Sequence, residues 1–255
     1  MKSIAFMNVR SGSTLFQHMI KKSSAPLLIT KPPEQCKVIP TANRQHLGQT
    51  IKTHKQHKNT LWTIHLNDWW PQQVGYQVPA YNAPSARQAV FFDPKFLKTL
   101  SPVNWRFAAL VRDPRNAAAS LLRHPGGIEE KHLKKNPALY FKYVCKAFRN
   151  KTQLMLENER TIFVFKIFKA EEMFEHPVKL VTALIKHLGF ELDPGLAAAR
   201  LKSNPGVRQS NFKEVENLNA RWKSWPSEQI KIAKEILGEV LVESGYEKDL
   251  NWEKR

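Results

Sequence analysis

Residues 107–124 read FAALVRDPRNAAASLLRH. Phe107 to Val111 is a short apolar run, too short for a helix and suited to a buried strand. Arg112, Asp113 and Pro114 interrupt it, and a helix is expected to begin near Arg115. An arginine thus ends the strand, a proline makes the turn, and a serine follows eight residues after the arginine. In a strand-turn-helix unit this places Arg112 and Ser120 beside one crevice, at the carboxyl end of the strand, where open α/β sheets bind ligands. The plain alternatives are a surface ion pair between Arg112 and Asp113, and a Ser120 that bonds its own helix backbone.

A second unit of the same kind opens the chain, at 3-SIAFMNVRSGSTLFQHMI-20. Ile4, Ala5, Phe6 and Met7 read as a buried strand, and Leu15, Met19 and Ile20 recur at helical spacing after Ser13 and Thr14. Such a turn aims unpaired backbone N–H groups at one point, which suits a phosphate or sulfate. Arg10 adds a permanent, forked cation, and Ser13 and Thr14 add hydroxyl donors. Two strand-end anion sites in one sheet imply a ligand with two separated charged groups.

The rest of the chain extends the pattern. A strand is expected at 61–66, helical spacing at 138–158, and a strand at 161-TIFVFKIF-168. A helix after Pro177 stops at Gly189, and a last one, over about 227–244, ends at Gly245. Strands alternating with helices predict a three-layer α/β fold, a central, mostly parallel sheet with helices on both faces. Residues 41–95 are the least regular part. With 255 residues, no repeat and no evident linker, one domain over 1–255 is expected. No apolar run is long enough to span a membrane. Two cysteines, Cys36 and Cys145, and the lack of a leader pattern make a reducing, cytoplasmic setting the expectation. Forty Lys and Arg against 22 Asp and Glu give a net charge of +18, a surface that favours anionic partners. With no basic recognition helix and no RNA-binding signature, a specific nucleic-acid partner is not expected.

Taken together, the two anion motifs resemble those of the sulfotransferases that use 3′-phosphoadenosine 5′-phosphosulfate (PAPS), releasing the 3′,5′-bisphosphate PAP. Arg10-Ser11-Gly12-Ser13-Thr14 is similar to that family's 5′-phosphosulfate loop, and Arg112 through Ser120 to its 3′-phosphate motif. The segment 171-EEMFEHP-177 resembles the family's acidic segment, and Ser244-Gly245-Tyr246 its closing tripeptide. The resemblance implies a P-loop-NTPase-like sulfotransferase fold. It also implies that Arg10, Ser11, Gly12, Ser13 and Thr14 hold the 5′-phosphosulfate, and Arg112 and Ser120 the 3′-phosphate. In 219-NARWKSW-225, Arg221 and Trp222 match a segment that closes over the cofactor, and Arg208 could join them. The sequence departs from the pattern at Ala170, where the family often has a tyrosine before the acidic pair.

Sulfuryl transfer needs an acceptor hydroxyl or amine in line with the leaving group, and a base for its proton. Glu34, in 31-KPPEQCKVIP-40, resembles the catalytic glutamate segment of the tyrosylprotein branch; its alternative is a loop acid paired with Lys31 or Lys37. His54, in 52-KTH-54, copies the tripeptide that carries the histidine of the small-molecule branch, but lies farther from Arg112 than is usual there. His65, ending a strand, and Asp93 are the other options. Arg10 and the loop N–H groups would stabilise charge on the leaving group. No metal is expected, since the sulfuryl group carries less charge than a phosphoryl group and His54, His57 and His65 are too loosely spaced for a ligand set. The acceptor is expected to be a glycan, small molecule or peptide, the positive charge favouring an anionic one. Two other classes compete. A P-loop kinase would need a Gly-Lys-Ser/Thr in the first loop, which is missing; a non-enzymatic polyanion-binding module would need only the charge.

Overall fold

The computed structural model describes residues 2–7, 13–20, 28–29, 37–41, 60–65, 105–123, 136–203 and 220–254. Strand β1 (Lys2–Met7) leads to helix α1 (Ser13–Ile20). Short β2 (Leu28–Ile29), then β3 (Lys37–Thr41), β4 (Thr60–His65) and β5 (Trp105–Val111) follow. After β5 come α2 (Pro114–Arg123), the long α3 (Pro137–Thr161) and β6 (Phe165–Lys169). Next are α4 (Glu171–Glu175), α5 (Pro177–His187), β7 (Glu191–Leu192) and α6 (Pro194–Ser203). A 3-10 turn at Arg221–Ser224 precedes α7 (Ser227–Glu243), and a second lies at Trp252–Lys254.

The main sheet has the order β3-β4-β1-β5-β6, and all its described pairings are parallel. Pro40 lies in β3, an edge strand, where a missing N–H need not break a ladder. Each face is covered. Phe16, Met19 and Ile20 of α1 join Ala108, Leu110 and Phe168 of the sheet and Leu180, Leu184 and Ile185 of α5 in one buried cluster. Opposite them, Ala119 of α2, Phe141 and Cys145 of α3, and Leu237 and Leu241 of α7 pack with Ile167 of β6. The alternation of Ile167 and Phe168 between the two clusters is the two-residue period of a strand buried on both faces.

The helix after β1 therefore packs on one face and the helix after β5 on the other, although the two strands are neighbours. Between them lies the switch point of the sheet, where the two connections diverge and leave a crevice at the carboxyl ends. Met7 pairs with Leu110 and with His65, so three strands end there together.

Several boundaries differ from those read in the sequence. The run 161–168 is a helix end, a turn and a strand: Thr161 closes α3, the N–H of Ile162 bonds Asn158, and pairing starts only at Phe165. Strand β3 and the antiparallel pair β2–β7, which joins Leu28 to Leu192, had no clear signal. Among the described residues no helix is long and apolar enough to cross a membrane.

Candidate functional site

Arg112 follows the last residue of β5 and is buried, only 3% exposed. Its guanidinium carbon stands 5.1 Å from the centre of the Phe174 ring, on α4. Burial is the main influence on its charge and pulls its pKa down. Glu171 opposes that shift, the like charge of Arg221 reinforces it, and Asp113 and Tyr246 oppose it. Arg112, itself buried, thus feels the charge of the half-buried Arg221.

The surface ion pair between Arg112 and Asp113 is not what forms. The Asp113 carboxylate is taken by Arg115, whose Nη2 lies 2.7 Å from Oδ2 and whose Nε lies 3.1 Å from Oδ1. The backbone N–H of Arg115 also donates to Asp113 Oδ1 at 2.8 Å. Asp113 is therefore the N-cap of α2, with Pro114 at the first helical position, where its missing N–H costs nothing. Arg115 Nη1 reaches Glu247 Oε1 at 2.5 Å. Its guanidinium lies 4.2 Å from the Trp222 ring centre and 4.7 Å from that of Trp252. Burial alone would lower the pKa of Arg115, but the bonds to Asp113 and Glu247 more than reverse this.

The acidic segment and the Ser-Gly-Tyr tripeptide, 75 residues apart, meet beneath the same strand end. Glu171 Oε1 accepts the N–H of Asp113 at 2.9 Å, and Oε2 accepts the Tyr246 hydroxyl at 3.0 Å. That hydroxyl also lies 3.3 Å from the carbonyl of Val111. Burial raises the carboxyl of Glu171 above its usual range, against the pull of the Asp113 N–H. Tyr246 is raised too, by burial first and then by the charge of Glu171. Gly245, at φ 68°, makes the turn that brings Tyr246 back, and Lys169 Nζ bonds its carbonyl at 3.1 Å.

Ser120 is buried in α2, 8% exposed. Arg221 opens its 3-10 turn, and Trp222 is buried with its ring against Arg115 and edge-on to Trp252 at 5.1 Å. Ala170 is buried and its N–H bonds Val111 at 2.7 Å, so the position before the acidic pair presents no ring. Ser13 and Thr14 form the start of α1. His65 ends β4 beside Met7, on the carboxyl edge. Arg10, Ser11, Gly12, Glu34, His54, Asp93 and Arg208 lie outside the described residues; the strand after Glu34 begins, at Lys37, in register with Thr60 on the amino edge. Among the described residues no group of His, Cys, Asp and Glu side chains could hold a metal ion.

Sequence reasoning missed Arg115, Phe174, Glu247 and Trp252. The Asp113-Pro114 pair is a legible helix start, but the partner that bonds Arg115 lies 132 residues away and leaves no local pattern.

No protein-family model matches the chain, and no curated protein is similar to it in sequence. Solved structures are similar in fold. Mouse sulfotransferase SULT7A1, complexed with PAP, superposes with a TM-score of 0.56 at 14% identity, over 98% of this chain and 88% of that one. The sulfotransferase domain from the Synechococcus PCC 7002 olefin synthase matches with a TM-score of 0.47 at 18% identity, over 91% and 94%. That from the curacin biosynthetic pathway matches with a TM-score of 0.46 at 16% identity, over 92% and 97%. The chain shares the α/β fold of the mouse sulfotransferase.

Proposed function

We propose that residues 1–255 form a sulfotransferase domain that moves a sulfuryl group from PAPS to a hydroxyl or amine. The observation that carries this reading is Arg112, a buried cation at the carboxyl end of β5, at the switch point of a sheet with this fold. Arg112, Ser120 and Arg221 would bind the 3′-phosphate, and the first turn of α1, with Ser13, Thr14 and the Arg10 loop, the 5′-phosphosulfate. PAP in a structure of the same fold supports that assignment. With Ala170 in place of a tyrosine, Phe174 beside Arg112 is one aromatic surface among the described residues that could meet the nucleoside.

In the transfer, the acceptor oxygen or nitrogen bonds to sulfur as the bond from sulfur to the 5′-phosphate oxygen breaks. The electron pair stays on that phosphate, the acceptor proton goes to a base, and the cations and N–H groups meet the developing charge. Strand register favours His65 as the base, because its strand ends beside Met7 on the carboxyl edge. Glu34 is the second candidate, on its resemblance to the tyrosylprotein branch, and Trp222 is assigned a supporting role through Arg115. The acceptor is a glycan, peptide or small molecule, an anionic one suiting the charge of +18.

The test is transfer of radiolabelled sulfate from PAPS to an acceptor panel, with calorimetric titration of PAP. His65→Ala should lower turnover by about 10²–10⁴-fold with little change in PAP affinity. Loss in Glu34→Gln instead assigns the base to Glu34. Absence of both PAP binding and transfer overturns the reading. Nucleoside triphosphate binding with Mg²⁺ would put the kinase in its place, and polyanion binding alone the non-enzymatic module.

A further inference from the structure

Asp113 poses a problem for an anion site. It adjoins Arg112 in sequence, it is buried, and its charge acts on Arg112. A carboxylate in that position is the natural rival of any phosphate arriving at Arg112. Resting on the sulfotransferase reading, we infer that Arg115 is a positioning residue that withholds Asp113 from Arg112, so an incoming 3′-phosphate need not displace the Asp113 carboxylate.

The geometry fits that task. Arg115 engages both carboxylate oxygens of Asp113, and its own N–H pins Oδ1 from a third direction. Arg115 itself cannot easily turn away. It is 3% exposed, its Nη1 is bonded to Glu247, and its guanidinium carbon lies 4.2 Å from the Trp222 ring centre and 4.7 Å from that of Trp252. The C-terminal segment therefore fixes Arg115, and Arg115 in turn fixes Asp113. Remove Arg115, and Asp113 is a buried carboxylate without its cation, which makes the neighbouring guanidinium its best partner.

The experiment compares calorimetric Kd values for adenosine 3′,5′-bisphosphate and adenosine 5′-monophosphate. Their ratio isolates the contribution of the 3′-phosphate, which a general loss of folding does not change selectively. In Arg115→Met the ratio should collapse by roughly 10- to 150-fold, the range for losing one charged hydrogen bond, with the monophosphate Kd unchanged. The double variant Asp113→Asn with Arg115→Met should recover most of it, because asparagine still caps α2 but no longer competes. Arg115→Lys keeps the charge but not the fork, should give an intermediate ratio, and serves if Arg115→Met does not fold. Equal weakening of both ligands, or no recovery in the double variant, overturns the inference. A wild-type ratio near one overturns the sulfotransferase reading and this inference with it, whereas a large wild-type ratio untouched by Arg115→Met overturns the inference alone.

Discussion

Arg112→Met separates what the residue does for a ligand from what it does for the fold. Methionine keeps much of the apolar stem and contact with Phe174, and removes a charge that burial disfavours and that the charge of Arg221 disfavours further. Against that, Glu171 and Asp113 lose a neighbouring cation that supports them. These terms oppose each other, so the unliganded melting temperature should move little. The liganded one should not. A hydrogen bond to a charged group contributes about 1.5–3 kcal/mol, so PAP affinity should fall roughly 10- to 150-fold. At a PAP concentration well above both dissociation constants, that difference appears in full as lost ligand stabilisation. For a domain near this size each kcal/mol shifts the melting temperature by roughly 2–4 °C, so about 3–12 °C of the shift induced by PAP should vanish. Differential scanning calorimetry with and without PAP, paired with titration, measures both quantities. An unchanged PAP-induced shift in Arg112→Met would refute the assignment of the 3′-phosphate to this strand end.

Burial raises Glu171, so the folded chain holds this proton to higher pH than the unfolded chain does. Its contribution to stability is full below the ordinary value of 4.5 and is lost as pH rises through the raised native value, so Glu171→Gln should flatten that fall in urea titrations repeated between about pH 4 and 7. A variant that keeps the wild-type slope would place the proton elsewhere. Tyr246→Phe removes the hydroxyl donated to Glu171 and should cost about 1 kcal/mol, or roughly 2–4 °C, by thermal denaturation. No measurable change would mean that the hydroxyl does not tie the C-terminal turn to β5.

What could be read from the chain followed the range of the interaction concerned. The β5–α2 unit was legible because its signals are local: an apolar run, a proline, and an aspartate in capping position before it. The strand expected over 161–168 starts only at Phe165 for the same reason, since Ile162 and Phe163 are apolar but belong to a helix end and a turn, and Phe163 is wholly exposed there. Edge strand β3 was hidden by its own Pro40 and by its position at the sheet margin, where few side chains need be apolar. Arg112 and Ser120 were legible as candidates because of their spacing relative to a strand end. The network behind them was not, because it is assembled from four distant pieces, Asp113 and Arg115, Glu171, Trp222, and the segment from Tyr246 to Trp252. Each piece alone reads as an ordinary acid, base or core aromatic. Only when the sheet sets β5 against α4 and the last helix turns back at Gly245 do they enclose Arg115 beside the buried Arg112.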